Sequence, residues 1–167
     1  EGLHNIDQSK SFFRIIKKNV CKFCHRKFLK IYKKVYESNI SLFNVLKYSD
    51  TDLDGKYSID RFIAAHCIMF AMEGIPAVYF NSMFGTEDDH ERYKDTKHKR
   101  DLNRYKWNRE TLEKLLKVKK SKEYKIYNSL TKILEIRKKQ PAFHPNAIQF
   151  TLSLGDDVFG LWRQSID

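Results

Sequence analysis

Three stretches of this 167-residue sequence carry side chains that could do chemistry. The first is Cys21-Lys22-Phe23-Cys24-His25, which fits the C-x-x-C-H spacing of covalent haem attachment. Such attachment needs an exported chain, and Glu1 to Gln8 show no basic region followed by an apolar stretch. Cys24 also falls on the apolar stripe of a helix, where a small hydrophobe is expected. A zinc site needs four ligands, and beyond these three only His66-Cys67 offers the right types, on a helix that reads as buried. No metal and no cofactor is therefore expected.

The second stretch, Asp50-Thr51-Asp52-Leu53-Asp54-Gly55, opens like a calcium loop, with acids at positions 1, 3 and 5 and glycine at 6. Position 12 should supply a bidentate glutamate and is instead Arg61. A cation in that place abolishes tight binding, so the stretch reads as an acidic turn capping the helix that begins near Ile59. The third stretch is Lys99-Arg100-Asp101-Leu102-Asn103-Arg104-Tyr105, with Trp107 close behind. An arginine there is suited to hold sugar hydroxyls, carboxylate or phosphate through its planar fork of donors. The alternative is an ordinary charged loop in which Arg104 pairs with Asp101. Composition alone leaves both readings open.

The elements that must position these residues follow from periodicity and punctuation. Residues 11 to 35 read as an amphipathic helix, with Phe12, Phe13, Ile16, Val20, Phe23, Cys24, Phe28, Ile31 and Val35 recurring at spacings of three and four. Phe62 to Met72 is apolar almost all the way round, so it reads as a helix buried on most sides. Glu73-Gly74 ends it, and Pro76 forbids continuation. Ala77-Val78-Tyr79-Phe80 then reads as a short strand buried on both faces. Helix, tight turn and buried strand together describe one step of an α/β barrel. Asn81 to Trp107 reads as a long charged loop, and loops of that length are commonly functional. Asn108 caps a helix through Val118, and a second helix runs from Ser121 to Lys139, stopped by Gln140-Pro141. Ile148, Phe150, Leu152 and Leu154 alternate with polar residues as a half-buried strand does. Gly155-Asp156-Asp157 turns the chain into a second strand, Val158 to Arg163.

Composition bounds the class. The formal net charge is +11, from 32 basic and 21 acidic residues. Ten Lys or Arg and no acid lie between Gln8 and Tyr36. Such a run invites a nucleic-acid reading, with a small basic binding protein using residues 10 to 34 as the alternative function. The whole chain is rich in lysine, however, so a solvated helix face is preferred and no nucleic-acid partner is expected. Three cysteines fit a reducing cytoplasm better than a disulfide framework. No apolar run is long enough for a membrane helix.

Several blocks resemble one known family. Arg61-Phe62-Ile63-Ala64-Ala65-His66, then Gly74-Ile75-Pro76-Ala77-Val78-Tyr79-Phe80-Asn81-Ser82-Met83-Phe84-Gly85, resemble the last barrel repeat of sucrose-phosphorylase-like enzymes of the α-amylase superfamily, glycoside hydrolase family 13. The similarity continues through Lys94-Asp95-Thr96, Arg100-Asp101-Leu102-Asn103-Arg104 and Arg137-Lys138-Lys139-Gln140-Pro141-Ala142-Phe143-His144-Pro145-Asn146. Tyr36-Glu37-Ser38-Asn39-Ile40 looks like the Tyr-Glu-x-Asn stretch after the family's seventh barrel strand. The fold class so implied is α/β: the C-terminal part of a (β/α)8 barrel at 1–140, then the first strands of an antiparallel β domain at 141–167.

The resemblance implies a retaining glycosyl phosphorylase acting on a small α-glucoside, sucrose or glucosylglycerate, with phosphate. Of the substrate-binding residues, Arg104 matches the arginine that contacts the glucosyl unit. Tyr36, Glu37 and Asn39 match the loop lining the acceptor and phosphate side. The family's nucleophile, acid/base and transition-state aspartate are all absent, so no catalytic residue is assigned. The chain is expected to be inactive alone, to start shortly after the family's His-Asp motif, and to self-associate through surface that an incomplete barrel leaves open.

Overall fold

The computed structural model describes residues 38–166, which fall into two compact units. The basic helix expected at 11 to 35 and the C-x-x-C-H stretch lie outside the described residues. The first unit comprises residues 38–58 and 87–105, and the second 59–86 and 106–166. The arrangement is helix-rich, followed by one small antiparallel sheet, and no barrel closes among the described residues.

In the first unit, helix α1 (Leu42–Leu46) is capped by Ser41, whose side chain accepts from the Asn44 N–H. The acidic turn follows. Both Asp52 carboxylate oxygens are engaged, accepting from the Lys56 and Tyr57 N–H groups at 2.9 Å. That carboxylate organises the lead-in to the next helix, as expected of a capping turn. Gly55 (φ +70°) is required here, because a Cβ would stand 2.9 Å from the Lys47 carbonyl oxygen. Helix α3 (His90–Thr96) and the 3-10 helix Lys99–Asn103 complete the unit.

The second unit is built on α2 (Ser58–Ala71), whose first residue alone lies in the other unit. Phe62, His66 and Phe70 form its buried stripe at i, i+4 and i+8. The His66 ring lies 4.4 Å from the Phe62 ring, and its Nδ1 lies 2.9 Å from the Phe62 carbonyl oxygen. A carbonyl only accepts, so Nδ1 carries the hydrogen. Burial pulls the imidazole below its ordinary pKa, which favours the neutral form there. The helix is not buried on most sides: Cys67 and Ile68 are exposed, as is Met72 directly after it.

Helices α4 (Arg109–Lys117) and α5 (Lys122–Lys138) are capped by Asn108 and Ser121, each accepting the N–H three residues on. These boundaries match the sequence reading to within a residue. Ile126 and Leu130 of α5, with Phe62, are the largest fully buried side chains. Phe84, on the 3-10 helix Phe80–Phe84, stacks on Tyr127 at 5.6 Å. Trp107 donates its Nε1 hydrogen to Thr86 Oγ1 at 2.9 Å, a clasp between the points where the chain leaves this unit and returns to it.

Two expectations need correction. Residues 77–80 form no strand: residues 75–79 run without regular structure and Phe80 starts a 3-10 helix. A parallel strand exists only by pairing with neighbours, and no strand lies beside this one among the described residues. Nor is 81–107 an irregular loop, since it holds parts or all of three short helices.

The hairpin forms as read, with β1 (Ile148–Ser153) antiparallel to β2 (Phe159–Gln164) around Gly155 at φ +93°. Phe150 pairs with Trp162, and Gln149 with Arg163. Its apolar side is more exposed than a half-buried strand implies, with Phe150 47% and Trp162 58% exposed. The polar side makes the contacts instead. Gln149 Oε1 accepts from the Glu73 N–H at 2.9 Å, and Arg163 donates to the Ala142 and His144 carbonyls.

Arg137 on α5 ties the end of α2 in place. Its Nε donates to the Phe70 carbonyl at 2.8 Å and its Nη2 to the Gly74 carbonyl at 3.0 Å. The Phe70 oxygen belongs to the last turn of α2, which lacks intrahelical donors, and Gly74 lies three residues beyond that helix. The guanidinium also lies over the Phe143 ring at 5.4 Å. Arg137→Ala should lower the unfolding free energy by about 2 kcal/mol, the scale of charge-assisted bonds at a partly exposed site. Arg137→Lys, which keeps charge without the fork, should recover less than half of that in urea titration. A loss under about 0.5 kcal/mol for the alanine variant would contradict this role.

Candidate functional site

The site is assembled on the first unit. Its two chain segments are tied by short contacts. The Ser41 N–H donates to Asp88 Oδ1 at 2.6 Å, and Lys47 Nζ donates to Glu87 Oε2 at 2.7 Å. Burial pushes the Asp88 carboxyl above its ordinary value, against the pull of the Ser41 N–H. The hydrogen bond with Glu87 raises Lys47.

Asp89 caps α3, accepting from the Arg92 N–H at 2.9 Å, and its own N–H donates to the Leu102 carbonyl at 2.7 Å. The 3-10 helix carrying Arg100 to Asn103 is thereby seated on α3. Asp101 completes the seat, facing Arg92 with Nε to Oδ1 at 3.4 Å. Hydrogen bonding from Thr96, then Arg92, holds the Asp101 carboxyl below its ordinary value. Lys97, at the turn between the helices, sits in the left-handed region at φ +53°, where glycine or asparagine is usual.

This geometry bears on the two readings of Arg104. Asp101 is turned toward Arg92, and Arg104 contributes only its backbone N–H, which donates to the Asp101 carbonyl at 3.3 Å. The Arg104 side chain is exposed and makes no ion pair with a described residue. The loop is therefore held by other groups, and the Arg104 guanidinium keeps its donors. Asn39 lies in the same unit, with its Oδ1 buried and without a hydrogen-bond partner. Tyr36 and Glu37 lie outside the described residues.

Sequence reasoning passed over Asp88, Asp89 and Arg92, which do the positioning. The signal for Asp89 was present as a capping residue directly before His90-Glu91-Arg92. The bond from Ser41 to Asp88 spans 47 residues and had no local signal. Among the described residues no three His, Cys, Asp or Glu side chains gather as a metal site, and no helix is long and apolar enough to cross a membrane.

No protein-family profile matches the chain. Individual proteins do. The glucosylglycerate phosphorylase of Allomeiothermus silvanus is 38% identical over 114 residues, 68% of this chain and 20% of that protein. The glucosylglycerate phosphorylase of Spirochaeta thermophila is 30% identical over 132 residues, covering 79% of this chain and 22% of that protein. The chain is a homologue of the family 13 sugar phosphorylases. The sucrose 6(F)-phosphate phosphorylase of Thermoanaerobacterium thermosaccharolyticum is 28% identical over 110 residues, 66% of this chain and 20% of that protein. This phosphorylase homologue thus spans about a fifth of the length of the relatives it matches.

In this homologue Asp101 and the Asp89 backbone together seat the loop bearing Arg104. Asp101→Ala should speed amide hydrogen exchange across Lys99–Asn103 and at the Arg104 N–H, with little change in α4 and α5. Exchange at the wild-type rate in that segment would show that the 3-10 helix stands without the carboxylate.

Proposed function

We propose that the chain is the C-terminal part of a retaining glycosyl phosphorylase acting on a small α-glucoside of the sucrose or glucosylglycerate type. Residues 1–140 correspond to the end of its barrel and 141–167 to the start of a β domain. Homology carries this reading, with 38% identity across two thirds of the chain. The exposed Arg104 guanidinium, without an ion pair to a described residue and on a loop secured by other groups, supports it further. A guanidinium in that state is available to two adjacent sugar hydroxyls.

The reaction is a double displacement. A carboxylate attacks the anomeric carbon while an acid protonates the departing oxygen, and phosphate then takes the glucosyl group with retention. This chain supplies binding to that reaction. Arg104 holds the glucosyl unit, and Asn39, with Tyr36 and Glu37 before it, lines the acceptor and phosphate side. The buried Asn39 Oδ1, lacking a partner, is an acceptor that a hydroxyl of the bound sugar or acceptor satisfies. The nucleophile and acid/base come from outside the chain, and the assembled enzyme works in the cytoplasm. Asp50, Asp52 and Asp54 take no part, since Asp52 is committed to its own turn.

The purified 167-residue chain should release no glucose 1-phosphate from sucrose or glucosylglycerate with phosphate, because losing a single nucleophile already removes most of the catalysis in enzymes of this kind. Release well above background would overturn the assignment of chemistry to other segments.

In the intact enzyme, Arg104→Lys keeps the charge and loses the fork. It should cost on the order of tenfold or more in kcat/KM, about 1.4 kcal/mol, with part of the loss in kcat as the glucosyl ring flattens toward its transition state. A variant with wild-type kcat/KM and a lowered melting temperature would return Arg104 to a structural role.

A further inference from the structure

Charge is concentrated at one turn of the second unit. Residues 38–166 hold 22 basic and 17 acidic side chains. Within 114–122 there are five lysines, Lys114, Lys117, Lys119, Lys120 and Lys122, and no acid. The other described residues therefore balance, 17 against 17, and the whole excess lies in nine residues. A general drift toward lysine would have spread it along the chain.

The turn joins the end of α4 to the start of α5, and its backbone is fixed. The Val118 N–H donates to the Leu115 carbonyl at 3.1 Å, and the Ser121 N–H to the Val118 carbonyl at 2.9 Å. Ser121 Oγ donates to the Leu115 carbonyl at 2.8 Å. Lys122 faces Glu123 at 3.7 Å. Lys114, Lys117, Lys119 and Lys120 are exposed and make no ion pair with a described residue. Folding accounts for only two of these four. Lys114 and Lys117 lie in the last turn of α4 and suit its negative end. Lys119 and Lys120 stand directly before the Ser121 cap of α5, at that helix's positive end, where cations are unfavourable. Charge that opposes the local fold and is not spent on ion pairs is free for a partner.

Three features choose that partner. All five side chains are lysines, compact charges without the fork by which arginine grips a single phosphate. The segment holds no aromatic side chain on which a base could stack. Val118, 51% exposed, stands in the middle of the cations. An apolar side chain there gains nothing from a sugar-phosphate backbone in water. It does gain from the boundary between lipid headgroups and acyl chains.

We propose that the α4–α5 turn is a contact surface for an anionic lipid leaflet, which holds the protein weakly and reversibly at a membrane. The lysines meet the acidic headgroups, and Val118 enters the interface. Each lysine near such a surface adds a small increment of attraction, which salt screens.

The test uses the 167-residue chain and vesicle flotation at low and at physiological salt. The vesicles are phosphatidylcholine alone, or phosphatidylcholine with about 30% phosphatidylserine. The basic run at residues 10 to 34 is present in every sample, so variants are compared with one another. Lys119→Glu with Lys120→Glu reverses the turn. Lys132→Glu with Lys138→Glu makes the same change in net charge at exposed lysines elsewhere on α5. Glutamates before a helix suit its dipole, so the turn variant keeps its fold, and circular dichroism checks both pairs. The wild-type chain should float with the phosphatidylserine vesicles only, and less at the higher salt. The turn variant should bind at least about tenfold more weakly, and the control pair less than about threefold. Val118→Ser should also weaken binding, by about threefold, without changing the salt dependence. Equal losses from the two pairs would show that net charge alone acts, and would overturn the proposal. So would a chain that floats with neither vesicle. Tighter binding to a duplex RNA than to vesicles, lost in the turn variant and indifferent to Val118→Ser, would overturn it in favour of a nucleic acid.

Discussion

The second unit depends on two carbonyl oxygens, one in the last turn of α2 and one in the turn just beyond it. A helix cannot satisfy its last carbonyls by itself, and Gly74-Ile75-Pro76 turns the chain away before another turn can form. Arg137 supplies the missing donors from α5 and fixes the angle at which α2 meets α5. That contact lets Phe62, Ile126 and Leu130 close the small core, and it holds Gly74 where the extended segment begins. The Glu73 N–H, bonded to Gln149, brings the hairpin to the same corner. Three elements distant in sequence therefore meet at one helix terminus, and polar groups rather than apolar area choose the meeting point.

The first unit solves a different problem, which is to hold an arginine without using it. Seating a charged loop normally engages its arginines with its acids. Here Arg92 and Thr96 serve the Asp101 carboxylate, and Asp89 bonds the Leu102 carbonyl through its backbone. Among the described residues Arg104 is left as a side chain with an ordered base and no ion pair. Such an arrangement makes sense for binding, because a guanidinium already engaged in the protein must break those bonds before it can take a sugar.

Much of this was legible in the sequence where the determinants are local. Asn108 and Ser121 announce two helix starts, and Gln140-Pro141 announces an end. Gly155-Asp156-Asp157 between alternating runs announces a hairpin. What was not legible depends on partners. The alternation of Ile148, Phe150 and Leu152 is visible, but the side that packs is the one bearing Gln149 and Arg163, because the nearby helix and loop ends offer unsatisfied backbone groups. Ala77 to Phe80 has strand composition and no strand beside it. The helices inside 81–107 are too short to show a periodicity, and one ends at Lys97 in a conformation that its residue type does not foretell. Of the candidate site, Arg104 was found from a resemblance, whereas the residues that seat it emerged only from the folded chain.

The clasp between Thr86 and Trp107 has a consequence for how such chains change over generations. The polypeptide leaves the second unit at one side of this hydrogen bond and re-enters at the other, so the second unit's own backbone is closed there whatever lies between. Closing a loop grows costlier only as the logarithm of its length, about 0.6 kcal/mol for each doubling. Insertions and deletions between the two residues therefore leave the core of that unit almost untouched. Selection can change the length of the arginine-bearing segment without altering the second unit, whereas Ser41 and Lys47, which bond Asp88 and Glu87, constrain where such changes fall.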